Sequence, residues 1–162
     1  MPMPERPSGE EITAVHEIAA ERKEAAGYET AAFSIASAKH PDRNEDAYAV
    51  GEGSAAVCDG IGGYPGGELA SRTAAERLAF LFQKFRTENP KAGPAEARAM
   101  MLAAFDDANQ AVIRAAKAGD RPGAGTTATA VYIVETAEGG RKALVAWLGN
   151  TRAYRVSGRD AH

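Results

Sequence analysis

Residues 57–67 read VCDGIGGYPGG: an apolar run ends on an aspartate, and five of the next eight residues are glycine. An apolar periodicity of about 3.6 begins immediately afterwards, with Leu69, Thr73, Leu78, Leu81, Phe82 and Phe85 on one face. This predicts a helix from Glu68 to Thr87, closed by ENPKAGP. Upstream, DAYAV (46–50) and SAAVC (54–58) alternate as strands and are joined by GEG, a connection that suits an antiparallel hairpin. The segment AAFSIASA (31–38) reads as a further strand. A hairpin pairs residues about equally far from its turn, so Asp46 is expected beside Asp59 at one end of a sheet, with Glu45 adjacent.

Downstream, a second helix is expected from Pro94 to Ala118, carrying Met101, Leu102, Phe105, Ala108, Val112 and Ile113. The period then changes to extended in TTATAVYIVET, KALVAWLGN and RAYRV, separated by AEGGR and by the short GNT turn. Strands, two helices and strands again imply an α+β fold with helices covering an antiparallel sheet, and argue against alternating βαβ units. At the N-terminus, Ser8 and Glu11 form an S-x-x-E capping box before Ile12, Val15, Ile18 and Ala19, so a short amphipathic helix is expected as far as Ala26. The chain thus divides into a tail and helix (1–28) and a domain (29–162).

At 162 residues, with 44% hydrophobic and 25% charged residues, the composition suits one globular domain. A formal net charge of −3 without a Lys/Arg cluster makes nucleic acid an unexpected partner. No apolar stretch approaches the roughly 18 residues of a membrane span, and MPMPERPSGEE lacks a signal-peptide core, so a cytoplasmic location with no membrane partner is expected. Cys58, the single cysteine, has no histidine near it in sequence and reads as a small buried residue ending a strand.

The carboxylates are the chemically informative groups. Two of them 4 Å apart repel by roughly 4 kcal/mol at an effective dielectric of 20. A cation relieves this, and an oxygen-only donor set without histidine or thiolate favours Mg²⁺ or Mn²⁺. The Gly60 carbonyl could add a further oxygen, although glycines in a strand-to-helix loop are also ordinary turn residues.

Read together, NEDA (44–47), VCDGIGGYPGGELAS (57–71), GAGTTATAVYI (123–133) and VAWLGNTRAYRV (145–156) resemble, in order and spacing, the signatures of the metal-dependent serine/threonine phosphatases of type 2C, the PPM family. The resemblance spans about residues 31–157 and corresponds to the N-terminal portion of the catalytic domain. It implies a four-layer α-β-β-α sandwich of antiparallel sheets flanked by helices, incomplete at the C-terminus. It also implies hydrolysis of phosphoserine and phosphothreonine on proteins by a metal-bridged water at a dinuclear Mg²⁺ or Mn²⁺ centre. Asp59 is the counterpart of the metal-bridging aspartate, Gly60 of a carbonyl ligand, and Asp46 with Glu45 of the acidic pair that holds metal-bound waters. Asp46 and Asp59 are the residues to which the catalytic role is carried over.

Three features depart from that pattern. Asn150 stands where many members have a third-metal aspartate, removing a full charge. Pro41 occupies the place of the phosphate-contacting arginine; Arg43 or Lys39 could substitute, although either also reads as a solvated surface charge. The later aspartates of the family have no counterpart before His162. Two dications 4 Å apart repel by roughly 17 kcal/mol at an effective dielectric of 20, more than Asp59 alone offsets. The expectation is therefore weak binding of a single ion and little or no turnover by this chain alone. The expected partners are a phosphoprotein substrate and either the missing C-terminal part or a second copy completing the sheets. The rival readings are a non-catalytic, phosphatase-like regulator that binds a protein partner, and an α+β domain whose acidic loop is structural.

Overall fold

The structure, a computed structural model, describes residues 19–25, 28–38, 41–61, 66–157 and 160–161. The elements follow as β1 (Ala19–Ala25), β2 (Tyr28–Ser34), β3 (Asp46–Gly51), β4 (Ser54–Asp59), α1 (Gly67–Glu88), α2 (Pro94–Ala118), β5 (Ala128–Glu135), β6 (Arg141–Leu148), β7 (Val156–Ser157) and β8 (Asp160–Ala161). Strands β3-β4-β5-β6 form one four-stranded sheet in that order, every neighbouring pair antiparallel. This is an α+β fold: an antiparallel sheet with a helical hairpin inserted between two strands that are neighbours in it.

The β3–β4 hairpin closes on a two-residue loop, with Gly51 opposite Ser54 and Gly53 at φ 63°. That short loop fixes the register of everything beyond it. The helices pack on one face only. On α1 the buried positions are Gly67, Ala70, Ser71, Ala74, Ala75, Leu78 and Phe82, and on α2 they are Ala97, Met101, Ala104, Ala108 and Val112. Both sets recur every three to four residues, which is what a helix burying a single stripe requires. Their counterparts on the sheet are the inward residues Ala56, Cys58, Ala128, Ala130, Tyr132 and Val134. Alanines on both sides let the helices approach closely, and the few large side chains fill what remains. Phe82 meets Tyr132 edge to face at 5.5 Å, and the Arg86 guanidinium lies 4.6 Å from the Tyr132 ring centroid while donating to the carbonyl of Ile133. The second helix starts on Pro94 with Glu96 accepting from the Gly93 N–H, and Arg77 ties α1 to Asp107 of α2.

The outward face of the same sheet is also apolar. Val57, Val131, Val145 and Trp147 lie on it, and Val57 is 43%, Val145 43% and Trp147 62% exposed. Among the described residues the two helices thus cover one face of the four-stranded sheet, and its other face turns apolar side chains outward; β1-β2 and β7-β8 form separate two-stranded sheets.

Three sequence expectations change. The helix expected to reach Ala26 is not formed over 19–25, which pair as β1 with β2, Ala19 opposite Ser34 through Ala25 opposite Tyr28. A partner strand close in sequence satisfies the backbone of this segment, and tertiary pairing outweighs a weak helical pattern. The remainder of that expected helix, with its capping box, lies outside the described residues. The strand expected at 31–38 begins earlier, at Tyr28, and ends at Ser34. RAYRV forms no strand up to Arg155; only Val156 and Ser157 pair, with Ala161 and Asp160. Among the described residues no strand pairs with 152–155, and β6 is the last strand of its sheet.

This packing predicts an asymmetry between the two faces of the sheet. Leu78 is fully buried (0% exposed), so Leu78→Ala should cost about 2–5 kcal/mol in urea unfolding. Trp147→Ser, on the open face, should change stability by no more than about 0.5 kcal/mol.

Candidate functional site

The hairpin register sets Asp46 directly opposite Asp59 at the end of β3 and β4 away from the turn. Directly opposed residues have Cβ atoms about 4.5–5.5 Å apart, so the two carboxylates leave the sheet side by side. They line a cavity of about 340 Å³ together with Ser34, Ile35, Tyr48 and Thr151. Burial, then the charge of Asp59, a hydrogen bond to the Asp59 side chain and the charge of Glu45 hold the Asp46 carboxyl above its ordinary pKa. The pair is an electrostatic misfit that the fold maintains.

Backbone geometry maintains it. The Asp46 N–H donates to Asn44 Oδ1 at 3.0 Å, and Asn44 Nδ2 donates to Ser34 Oγ at 2.7 Å, which ties the start of β3 to the end of β2. The Asp59 N–H donates to Thr127 Oγ1 at 3.1 Å, and the Asp59 carbonyl accepts from the Thr127 N–H at 2.9 Å and from Thr126 Oγ1 at 3.0 Å. Sequence reasoning quoted the GAGTT run without giving these threonines a role. The signal was available: the residues that precede β5 must face the residues that end β4.

Gly60 has a packing reason. A Cβ there would lie 2.4 Å from the Gly67 carbonyl oxygen and 2.6 Å from the Glu45 carbonyl oxygen. The Gly60 N–H donates to that Glu45 carbonyl at 3.0 Å. The glycine therefore lets α1 begin directly against the acidic strand end. Residues 62–65, the middle of the glycine loop, lie outside the described residues.

Glu45 precedes β3, and its charge acts on Asp46, while its side chain also reaches the start of α1 and Arg43. Its Oε1 comes within 3.0 Å of where a Gly67 Cβ would lie, and its Oε2 is 3.4 Å from the Arg43 guanidinium. Among the described residues no three His, Cys, Asp or Glu side chains form a metal-binding group. Two opposed carboxylates remain, and as paired oxygen donors they fit one hard dication that completes its shell with water or carbonyl oxygen.

Arg43 lines a neighbouring cavity of about 490 Å³ that it shares with Asp46, Asn44 and Arg72. Pro41 lines the same cavity, and Lys39 lies outside the described residues. Asn150 sits in the exposed turn after β6, its carbonyl accepting from Arg152 at 2.7 Å. The adjoining Thr151 reaches the Asp46–Asp59 cavity and bonds Thr129 Oγ1 at 2.6 Å. Cys58 is buried at 2% exposure, and burial pushes its thiol up to about 12, so it stays protonated and is a core residue rather than a nucleophile.

The fold is similar to solved structures of serine/threonine phosphatases. One is the PPM Ser-Thr phosphatase MsPP from Mycobacterium smegmatis in complex with cacodylate, at 28% identity and TM-score 0.57, covering 89% of this chain and 50% of that one. Another is the Mycobacterium tuberculosis serine/threonine phosphatase PstP/Ppp, at 24% identity and TM-score 0.60, covering 90% and 52%. The chain therefore spans about half the length of the phosphatases it matches, and its likeness to them runs over nearly all of its own length. No protein-family model matches the chain, and no curated protein does. No helix among the described residues is long and apolar enough to cross a membrane.

The raised Asp46 pKa has a stability consequence with a definite sign. Between the ordinary value of 3.8 and its higher folded value, the native state binds more protons than the unfolded chain. Metal-free stability should therefore fall as pH rises through that window. In EDTA at pH 7, Asp46→Asn should melt above the wild type, and the difference should disappear below pH 3.8. Differential scanning calorimetry across that range measures both.

Proposed function

We propose that this chain is part of a metal-dependent serine/threonine phosphatase, and that it carries the Asp46–Asp59 half of a centre that hydrolyses phosphoserine and phosphothreonine on proteins. The observation that carries this reading is the opposed carboxylate pair at the end of the β3–β4 ladder, in a chain structurally similar to two PPM phosphatases.

In this reading Asp59 and Asp46 hold Mg²⁺ or Mn²⁺, with the Gly60 carbonyl as a further oxygen donor. When bound, the metal supplies a water of lowered pKa and neutralises charge on the phosphoryl oxygens. The remaining work falls to the protein's own groups. Asp59 is anchored through both of its backbone polar groups, so its carboxylate is presented at a fixed place on the sheet end. Asp46, directly opposite Asp59, would share the cation with it, and the cation would relieve the repulsion between the two carboxylates. In this reading Arg43, which lines the adjoining cavity and pairs with Glu45, would meet a phosphate oxygen that approaches Asp46. In the hydrolysis a water oxygen forms the new P–O bond, the bond to the serine or threonine oxygen breaks, and that oxygen leaves with a proton.

The charge count limits what this chain does alone. Two carboxylates offer two negative charges against the four positive charges of a dinuclear centre, so one ion per chain is expected, bound weakly. A second reading, a phosphatase-like regulator that binds a protein partner, is favoured by the ion pair between Arg43 and Glu45, which engages the cation that a phosphate would need.

Isothermal titration of the 162-residue chain with Mn²⁺, beside phosphate release from a phosphothreonine peptide, tests the proposal. The expected result is one weak site that Asp59→Asn abolishes, with turnover near background. Absence of Mn²⁺ binding, together with binding of the intact phosphopeptide, would support the regulator and overturn the enzyme reading.

A further inference from the structure

Thr127 stands opposite Asp59: the β4–β5 ladder runs to Val57 and Thr129, and the bridge between Gly60 and Thr126 continues the same register. In a regular hydrogen-bonded antiparallel pair, each residue donates its N–H to the other's carbonyl. Here only one of those bonds is regular, from the Thr127 N–H to the Asp59 carbonyl at 2.9 Å. The return bond is rerouted: the Asp59 N–H donates to Thr127 Oγ1 at 3.1 Å instead of to the Thr127 carbonyl. That carbonyl accepts from Thr126 Oγ1 at 2.8 Å, and the same hydroxyl reaches the Asp59 carbonyl at 3.0 Å.

The Thr127 side chain is held on its other side as well. Its methyl faces Gly149, where an added Cβ would lie 2.7 Å from Thr127 Cγ2. A β-branched side chain packed this way has little freedom at χ1, so its hydroxyl cannot swing away from Asp59. Asp59 next to Asp46 is a residue that charge repulsion would turn aside. Its peptide is instead fixed by hydroxyls that belong to the strand on the far side of it.

We propose that Thr127 is a positioning residue for the metal site. Its hydroxyl, wedged in place by Gly149, sets the orientation of the Asp59 peptide and so aims the Asp59 carboxylate toward the dication shared with Asp46. This rests on the reading of Asp46 and Asp59 as metal ligands, and extends it to a residue that touches neither metal nor substrate.

The test separates the hydroxyl from the methyl. Thr127→Val keeps the shape and removes the hydroxyl, whereas Thr127→Ser keeps the hydroxyl and removes the methyl. Isothermal titration of the 162-residue chain with Mn²⁺ should show Thr127→Val about tenfold weaker and Thr127→Ser within about twofold of wild type, the lower end of what outer ligand partners contribute. Melting temperature in EDTA and circular dichroism establish that each variant is folded. If Thr127→Val does not fold, Thr127→Ala against Thr127→Ser makes the same comparison without the methyl, and the alanine variant should bind more weakly. Equal Mn²⁺ affinity for folded Thr127→Val and wild type would overturn this assignment alone, as would equal losses in the serine variant and the variant lacking the hydroxyl. Failure of the wild type to bind Mn²⁺ would overturn the metal-site reading and this assignment with it.

Discussion

Two carboxylates facing each other across the last rung of an antiparallel hairpin form the constraint on which the rest of this structure depends. Asp46 and Asp59 are both exposed, and the register of β3 and β4 sets them side by side. Such a placement is unfavourable in the absence of a cation, and the surrounding chain is built to hold it. Asn44 anchors the strand that carries Asp46, and Thr126 and Thr127 anchor the residue that carries the second carboxylate. Gly60 lets helix α1 begin hard against the same strand end.

The fold supplies rigidity behind that end. An alanine-lined contact brings both helices close to one face of the sheet, with Leu78, Phe82 and Tyr132 filling the space that the alanines leave. Arg86 pins α1 to the β5 backbone at Ile133, at the opposite end of the sheet from the carboxylates. The other face offers Val57, Val145 and Trp147 to the outside, so one sheet has two apolar faces and a single helical layer. This architecture agrees with a likeness that spans about half of each of the two solved phosphatases.

Much of this was legible in the sequence, for identifiable reasons. The GEG turn is short enough to fix a register, and arithmetic outward from it reaches Asp46 and Asp59. The two helices announce themselves through a single apolar stripe each, and their observed bounds lie within one residue of those read from periodicity. What escaped was set by partners rather than by local pattern. Residues 19–25 look helical until β2 is available to pair with them, and of RAYRV, which looks extended, only Val156 pairs with a strand among the described residues. Thr127 lies within the GAGTT run, but its bond to Asp59 spans 68 positions and is not visible in the local pattern.

The central claim is that Asp46 and Asp59 converge on one dication. Crystals of the chain soaked in Mn²⁺, with anomalous diffraction collected at the manganese edge, test it most directly. A single anomalous peak lying between the carboxylates of residues 46 and 59 is the predicted result. Carboxylates turned apart with no peak between them, or manganese bound only elsewhere on the surface, would contradict it.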